Sequence, residues 1–512
     1  MKHILRLTGI VALLAVTACK TARVATKDDG KIEVVLVHVN DVYEIAPVNG
    51  GKEGGMARIA TLKKQYLKTN PNTFMVMGGD FLSPSIYNSL QVNGKRVRGA
   101  QMVEAMNTAG MDFTCFGNHE FDINEAELQA RLNESDFTWI SSNAFHKVND
   151  EIKPFSKTGS KPAVIPTSYI QTVKDADGTV AKVGFMGLVL PANRADYVSY
   201  TNALVAAKQV YNQLKDSVDA VIAITHLDSA DDKILAKELP GLAAILGGHE
   251  HVGFSSKIGN VYISKALSNA RTAIVVKLNI NQRRRNFNVQ AEAVLIDDKI
   301  ALDSATTAVV NKWAGVVQQS YASLGFDING LVINAGDSLD IREETTYRRS
   351  SNFTRLVTEA MADACPQADV VMFNAGSARL DDILVPPVTQ YDIIRSMPYG
   401  GGIREVEMKG SMLIQVLDSA RKNINKGGWL HYQPVVYNAT TNAYTINNAA
   451  LDPNKAYRVA LPDFLLTGKE TRLDFLNERN PSIIKVYPAE TAVGNPKSDI
   501  RLSIVKYLLK KR

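Results

Sequence analysis

Cysteine is scarce in this sequence, with three residues among 512. Cys115 and Cys365 lie far apart in the chain, so they cannot form the dense disulfide framework of small exported domains, and we expect both to be buried as small apolar side chains. The shortage of thiols also disfavours a structural zinc site built from cysteines. The third cysteine, Cys19, has a different setting, considered below with the N-terminal residues.

A strong excess of charge of one sign is also lacking. The chain has 58 Lys and Arg against 52 Asp and Glu, a net charge of +6. The basic residues are scattered and form no run interleaved with aromatic residues, so we predict no nucleic-acid partner. No obligate protein partner is evident either. An apolar fraction of 45% is ordinary for a soluble globular protein, and the length indicates more than one domain.

Long hydrophobic runs are absent after the first residues. Lys2 and Arg6 precede the apolar run 7–16, which is too short to span a bilayer and is typical of a secretory signal. The sequence Val-Thr-Ala-Cys at 16–19 resembles the bacterial lipobox, which implies cleavage before Cys19 and lipidation of its thiol; plain secretion is the alternative. We therefore expect a lipoprotein signal peptide at 1–18, a tether at 19–31 and attachment to a membrane of the bacterial cell envelope, on the periplasmic face or at the cell surface.

Short apolar runs alternate with helix-type patterns through most of the chain, which predicts an α/β fold with covered sheets. The first such region covers residues 32–300. A helical stretch at 303–324, within 301–330, is expected to link it to a second α/β region at 331–512. The predicted strands of the first region are 32–39, 74–77, 113–116, 183–190, 220–224 and 242–246.

Five of these apolar runs end in residues of the types that bind metals. Because strand ends on one edge of a sheet converge, we expect these residues to meet. They supply oxygen and imidazole nitrogen without thiolate, which suits Mn²⁺, Fe, Zn²⁺ or Mg²⁺. Four of the eight histidines of the chain fall in these loops. The residues are Asn40-Asp41, Gly79-Asp80, the segment 117–122 with Asn118, His119 and Asp122, His226-Leu227-Asp228, and the segment 247–251 with His249 and His251.

In order and spacing, these motifs resemble those of the calcineurin-like metallophosphatases, in the branch of 5′-nucleotidases and UDP-sugar hydrolases. The resemblance implies a four-layered αββα metallophosphatase domain at 32–300 and a C-terminal α/β nucleotide-recognition domain at 331–512. It also implies two divalent metal ions, whether Mn, Zn, Fe, Mg or Ca. By the same resemblance Asp80 bridges the ions, His119 and Asp122 form the catalytic pair, and the remaining ligands are Asn118, His226 and His249 on one ion and Asp41 and His251 on the other.

Tyr43 departs from the family pattern, which has a histidine two residues after the first aspartate. Three interpretations are open for the ion that Asp41 and His251 would hold. Tyr43 binds it as a phenolate, water fills the position, or Tyr43 only packs and one ion is firmly bound.

The C-terminal region resembles the nucleotide-recognition domain of the same branch. The resemblance implies that Tyr399 and Phe464 enclose the base, that Arg379, with Arg348 or Arg349, contacts phosphate, and that Glu470 accepts hydrogen bonds from the ribose. Gly401 stands where the family has an asparagine that would read a base edge, so the base stays open.

The predicted function is metal-dependent hydrolysis of nucleotide phosphate esters by an activated water. The resemblance also allows hydrolysis of UDP-sugars or cyclic-nucleotide phosphodiesters. One alternative is a phosphoesterase for a non-nucleotide organophosphate. Another is an envelope protein that binds nucleotides with impaired catalysis.

Overall fold

The computed structural model describes residues 28–192 and 195–512. Cys19, the predicted signal peptide and most of the predicted tether lie outside this part of the chain. Within it, no helix combines the length and the apolar composition needed to cross a membrane. Cys115 and Cys365 are buried and free, as expected.

The first domain contains two six-stranded sheets that pack face to face. The apolar side chains between them include Leu36 and Phe113 from the first sheet and Ile224 and Leu246 from the second. The first sheet has the strand order Asn286–Leu295, Thr272–Asn281, Lys31–Val39, Thr73–Met77, Phe113–Thr114 and Thr138–Trp139. The second has the order Ser168–Lys174, Val180–Val189, Ala220–His226, Ala244–Gly247, Val261–Lys265 and Phe254–Ile258.

Helices cover the outer face of each sheet. Met56–Leu67, Ala100–Ala109 and Glu125–Glu134 pack on the first sheet, and Ala203–Leu214 and Ser229–Glu238 pack on the second. Helix, sheet, sheet and helix therefore form four layers, which confirms the predicted αββα arrangement.

Parallel neighbours bring the site loops to one edge of each sheet. Val39 is paired with Met77 and Met77 with Thr114, so the three strands end at the same level. In the second sheet Thr225 is paired with Gly247. The predicted strand 113–116 is shorter than expected and ends at Thr114. The chain leaves the sheet there, and Gly117 lies against Asp80.

The helix Ser304–Ala322 lies within the predicted linker and packs against the first domain, with Trp313 and Val317 buried. The second domain has a five-stranded mixed sheet with helices on both faces. Its strand order is Leu430–Gln433, Val370–Asn374, Ala456–Pro462, Ile403–Lys409 and Ile483–Val486. Its helices are Glu343–Thr346, Asn352–Ala364, Gln390–Ser396, Gly410–Arg421 and Ile500–Lys510.

Polar contacts join the two domains beside the site edge. Tyr391 donates a hydrogen bond of 2.7 Å to Oε2 of Glu44, which is buried. Arg271 forms an ion pair of 2.7 Å with Asp382. The second domain therefore faces the loops that carry the predicted metal ligands.

Candidate active site

Four predicted ligands lie on strained backbone. The φ angles of Asp41, Asp80, His249 and His251 are 53°, 57°, 96° and 59°. Side-chain-bearing residues rarely adopt this left-handed region, and they persist there where the surrounding structure holds them. The turns after the strands bring the carboxylates of Asp41 and Asp80 and the imidazole of His251 into one cluster.

Asp41, Asp80 and His226 form the centre of the cluster. One ligand-type atom from each lies within 4.8 Å of the others, and all three side chains are buried. His226 Nε2 is 3.1 Å from Oδ2 of Asp80, and His251 Nε2 is 3.4 Å from Oδ1 of Asp41. Oxygen and imidazole donors at this spacing suit a divalent cation.

Asn118 adds an observation that fits a bound cation. Its Oδ1 is buried and accepts no hydrogen bond among the described residues. A buried carbonyl oxygen without a donor is costly unless a cation or water binds it. The residues present therefore fit the divalent metal that the donor set suggests.

Electrostatics at the centre favour positive charge. Burial by itself raises the pKa of Asp80, but the imidazoles of His226 and His119 outweigh it and hold that pKa well below its ordinary value. Burial lowers the pKa of His226, but Asp80 outweighs it and raises that pKa to about 10. Two buried carboxylates thus attract positive charge to this point, which a bound divalent cation would supply.

His249 lies beside this centre and contacts Asp228. Its Nε2 is 3.3 Å from Oδ1 of Asp228, and its ring centroid is 5.3 Å from that of His226. Its backbone N–H donates 2.9 Å to Oδ2 of Asp41. Asp228 therefore orients His249, a role that the sequence did not predict although Asp228 follows His226 by two residues.

Glu120 joins two of the site loops. Its carboxylate accepts hydrogen bonds of 2.6 to 3.0 Å from four backbone N–H groups. Gly117 is required at the same junction because a Cβ there would overlap with the Asp80 carboxylate. The four donors are Asp80, Phe81, Leu82 and Gly117.

His119 and Asp122 form the predicted pair. Nδ1 of His119 lies 2.6 Å from Oδ2 of Asp122, and its backbone N–H donates 2.8 Å to Oδ1 of Asp80. Nε2 points toward the cluster, 4.0 Å from Oδ2 of Asp80. Burial lowers the pKa of His119, but Asp122 and Asp80 outweigh it and raise that pKa above its ordinary value.

The hydroxyl of Tyr43 lies inside the cluster. It donates 3.2 Å to Oδ2 of Asp80 and lies 2.9 Å from Nε2 of His251. Its side chain is 7% exposed. The phenol therefore stands between residues predicted to hold metal.

Arg379 of the second domain contacts the predicted catalytic pair. Its Nη2 lies 3.0 Å from Nε2 of His119. Its Nη1 donates to Glu343 and Tyr347 at 2.8 and 2.9 Å. The sequence did not predict roles for Glu343 and Tyr347, because only the fold brings them beside Arg379.

The other predicted substrate residues are spread over the second domain. Tyr399 and Phe464 are 49% and 41% exposed, and Glu470 accepts a hydrogen bond of 2.9 Å from Asn374. Arg348 and Arg349 are exposed, and neither guanidinium is joined to the cluster by a hydrogen bond or ion pair among the described residues.

The sequence and the fold are similar to those of known proteins. Residues 34–253 match the family described as calcineurin-like phosphoesterase, and residues 331–478 match the 5′-nucleotidase C-terminal domain. Protein UshA of Yersinia enterocolitica is 25% identical over 511 residues, covering 87% of this chain and 87% of that protein. The 5′-nucleotidase of Bos taurus is 22% identical over 503 residues, covering 85% and 83%. The solved 5′-nucleotidase precursor of Thermus thermophilus has the same fold, with a TM-score of 0.67 and 20% identity over 94% of this chain and 97% of that one.

Proposed function

This chain belongs to the 5′-nucleotidase family of calcineurin-like phosphoesterases and is a phosphoric ester hydrolase; from that premise we propose that it hydrolyses nucleotide phosphate esters with a metal-activated water. The supporting observation is the position of the His119–Asp122 pair, which lies between the cluster of Asp41, Asp80 and His226 and the guanidinium of Arg379. A proton donor (His119), a cation (Arg379) and a cluster of metal-ligand residues thus surround one point.

Different side chains would bind metal, donate a proton and stabilise negative charge. When bound, divalent cations hold phosphoryl oxygens and lower the pKa of water so that it can attack phosphorus at neutral pH. Asp41, Asp80, Asn118, His226, His249 and His251 would hold them. Asp122 orients His119 through Nδ1, and the carboxylates of Asp122 and Asp80 raise the pKa of His119, which favours the imidazolium form that can protonate the departing oxygen. The guanidinium of Arg379 stabilises negative charge on the phosphoryl group.

The nucleotide part of the proposal rests on the second domain. Tyr399 and Phe464 are large aromatic side chains that expose nearly half of their surfaces, as a base-stacking pair requires. Glu470 offers a carboxylate to ribose hydroxyls. We also propose that a lipid on Cys19 attaches the enzyme to the bacterial envelope, which mass spectrometry of the exported protein and of Cys19→Ser can test.

The test is phosphate release by the purified chain after chelation, with divalent metals restored one at a time. Nucleoside 5′-monophosphates should be hydrolysed faster than a small aryl phosphate, and equal rates would favour a non-nucleotide organophosphate. His119→Ala should lose roughly 10²-fold in rate or more while metal is retained. His146→Ala is the control, because His146 pairs with Glu125 away from the cluster and should leave the rate unchanged. Nucleotide binding without turnover in saturating Mn²⁺ would contradict the proposal and indicate a binding protein.

A further inference from the structure

Glu343 pairs with Nη1 of Arg379, next to the Nη2 that faces His119. Its Oε1 accepts 2.8 Å from Nη1 of Arg379 and 2.9 Å from the hydroxyl of Tyr347. Tyr347 also accepts from the same Nη1 at 2.9 Å. The only guanidinium that the described part of the second domain brings against His119 is therefore already paired with a carboxylate.

A second carboxylate faces the cluster from the same domain. Oδ2 of Asp381 lies 3.4 Å from Nδ1 of His251, and Oδ1 accepts 2.6 Å from the backbone N–H of Glu343. The neighbouring arginines have other partners: Arg342 pairs with Asp340 and Glu344, and Arg271 with Asp382. The second domain thus presents one cation and two carboxylates at this point, a net negative charge.

This net negative charge should affect phosphate monoesters and phosphodiesters differently. A phosphate monoester carries about −1.5 to −2 near neutral pH, whereas a diester carries a single negative charge. Nη2 of Arg379 faces His119, so a phosphate bound there lies beside the Glu343 carboxylate on Nη1 and meets it as a like charge. The repulsion is larger for the monoester because it scales with the product of the charges.

We propose that Glu343 is a specificity-determining residue that favours phosphodiesters over phosphate monoesters at this site. The proposal rests on the proposed phosphoesterase function and narrows its substrate class. Tyr347 supports the role by holding the Glu343 carboxylate against the guanidinium.

The test compares two substrates with the same leaving group, bis(p-nitrophenyl) phosphate and p-nitrophenyl phosphate, with the Mn²⁺-loaded full chain. The ratio of their kcat/KM values should fall by roughly tenfold, toward the monoester, in Glu343→Gln, because one unit charge near the phosphate is removed. Glu344→Gln is the matched control, since Glu344 lies on the same short helix but pairs with Arg342. That variant should keep the wild-type ratio.

Binding of inorganic phosphate gives a readout that does not need turnover. Calorimetry should show roughly tenfold tighter phosphate binding in Glu343→Gln than in wild type. Glu343 begins a helix and is partly exposed, so the amide variant should fold, and Glu343→Ala repeats the test if it does not. An unchanged substrate ratio with unchanged phosphate binding overturns the specificity proposal alone. A wild-type protein that hydrolyses neither ester in any divalent metal overturns the proposed function and this inference together.

Discussion

Lys265 donates a hydrogen bond of 2.6 Å to the backbone carbonyl of Leu227, the residue after His226. The same ammonium pairs with Asp232 at 3.1 Å and with Glu250, the residue between His249 and His251. Lys265 is 1% exposed. One buried charge therefore joins the two loops that carry the imidazoles of the second sheet.

Lys265→Met should destabilise the protein and weaken metal binding. Removing the ammonium leaves Asp232 buried without its cation, which typically costs about 3–5 kcal/mol in free energy of unfolding. The two histidine loops also lose their shared donor. Urea unfolding and Mn²⁺ titration of the metal-free protein would measure both effects.

The control for that substitution is Lys208→Met. Lys208 pairs with Glu238 at 2.6 Å, but both side chains are about half exposed. Loss of a surface pair typically costs about 0–1 kcal/mol. Equal losses in the two variants would show that Lys265 has no special role in the loops.

Glu120→Gln should weaken the junction between the loops of Asp80 and Asn118. The two oxygens of the glutamate accept hydrogen bonds from four backbone N–H groups. A glutamine has one oxygen to accept them, and its NH₂ group would face the remaining N–H donors without forming hydrogen bonds. An unsatisfied buried donor costs about 1–3 kcal/mol, so metal affinity and unfolding free energy should both fall. The same measurements on Glu134→Gln, an exposed partner of Arg131, should show little change. Wild-type metal affinity in Glu120→Gln would show that the Glu120 carboxylate does not support the metal site.

The pH dependence of stability should include a contribution from His431 in the second domain. Burial lowers the pKa of this histidine to about 4 from the ordinary 6.5. Between these values the unfolded chain binds the proton and the folded chain does not, so stability is present above pH 6.5 and is lost as the pH falls through that range. The loss amounts to about 3 kcal/mol. The slope of unfolding free energy against pH should therefore be shallower in His431→Gln than in wild type. Equal slopes would show that His431 does not contribute to the pH dependence of stability.

The sequence could predict the parts of the site that are local in the chain. Asp41 and Asp80 follow neighbouring parallel strands of the first sheet, so their strand ends meet at one edge, and His226 ends a strand of the second sheet, which packs against the first. The partners of Arg379 could not be predicted in this way. The family resemblance implies Arg348 or Arg349 as a second phosphate contact, but the turn of Glu343–Thr346 decides which side chain faces Arg379.

Lys265 illustrates the same limit. A lysine at the end of an apolar strand is ordinarily expected at the surface. Its burial depends on Asp232 and Glu250, which come from a helix and a loop elsewhere in the chain. No periodicity in the sequence connects these three positions.

Tyr43→Phe should weaken metal binding at the end of the cluster formed by Asp41 and His251. The hydroxyl lies 2.9 Å from Nε2 of His251 and 3.5 Å from Oδ1 of Asp41, so it either binds the cation or orients the residues that do. Loss of one ligand or hydrogen bond of this kind corresponds to roughly a tenfold loss of affinity. Calorimetric titration of the metal-free protein with Mn²⁺ measures affinity and stoichiometry together.

Two further variants decide what the Tyr43 hydroxyl does. Tyr43→His places an imidazole among Asp41, Asp80 and His251, and a gain in affinity or stoichiometry over wild type would show that the phenol is the weaker ligand at this position. Tyr66→Phe is the control, since Tyr66 donates to Glu292 on the surface and should not affect metal binding. If Tyr43→Phe binds Mn²⁺ with wild-type affinity and stoichiometry, the hydroxyl only packs, because an oxygen that bound or oriented a cation could not be removed without loss.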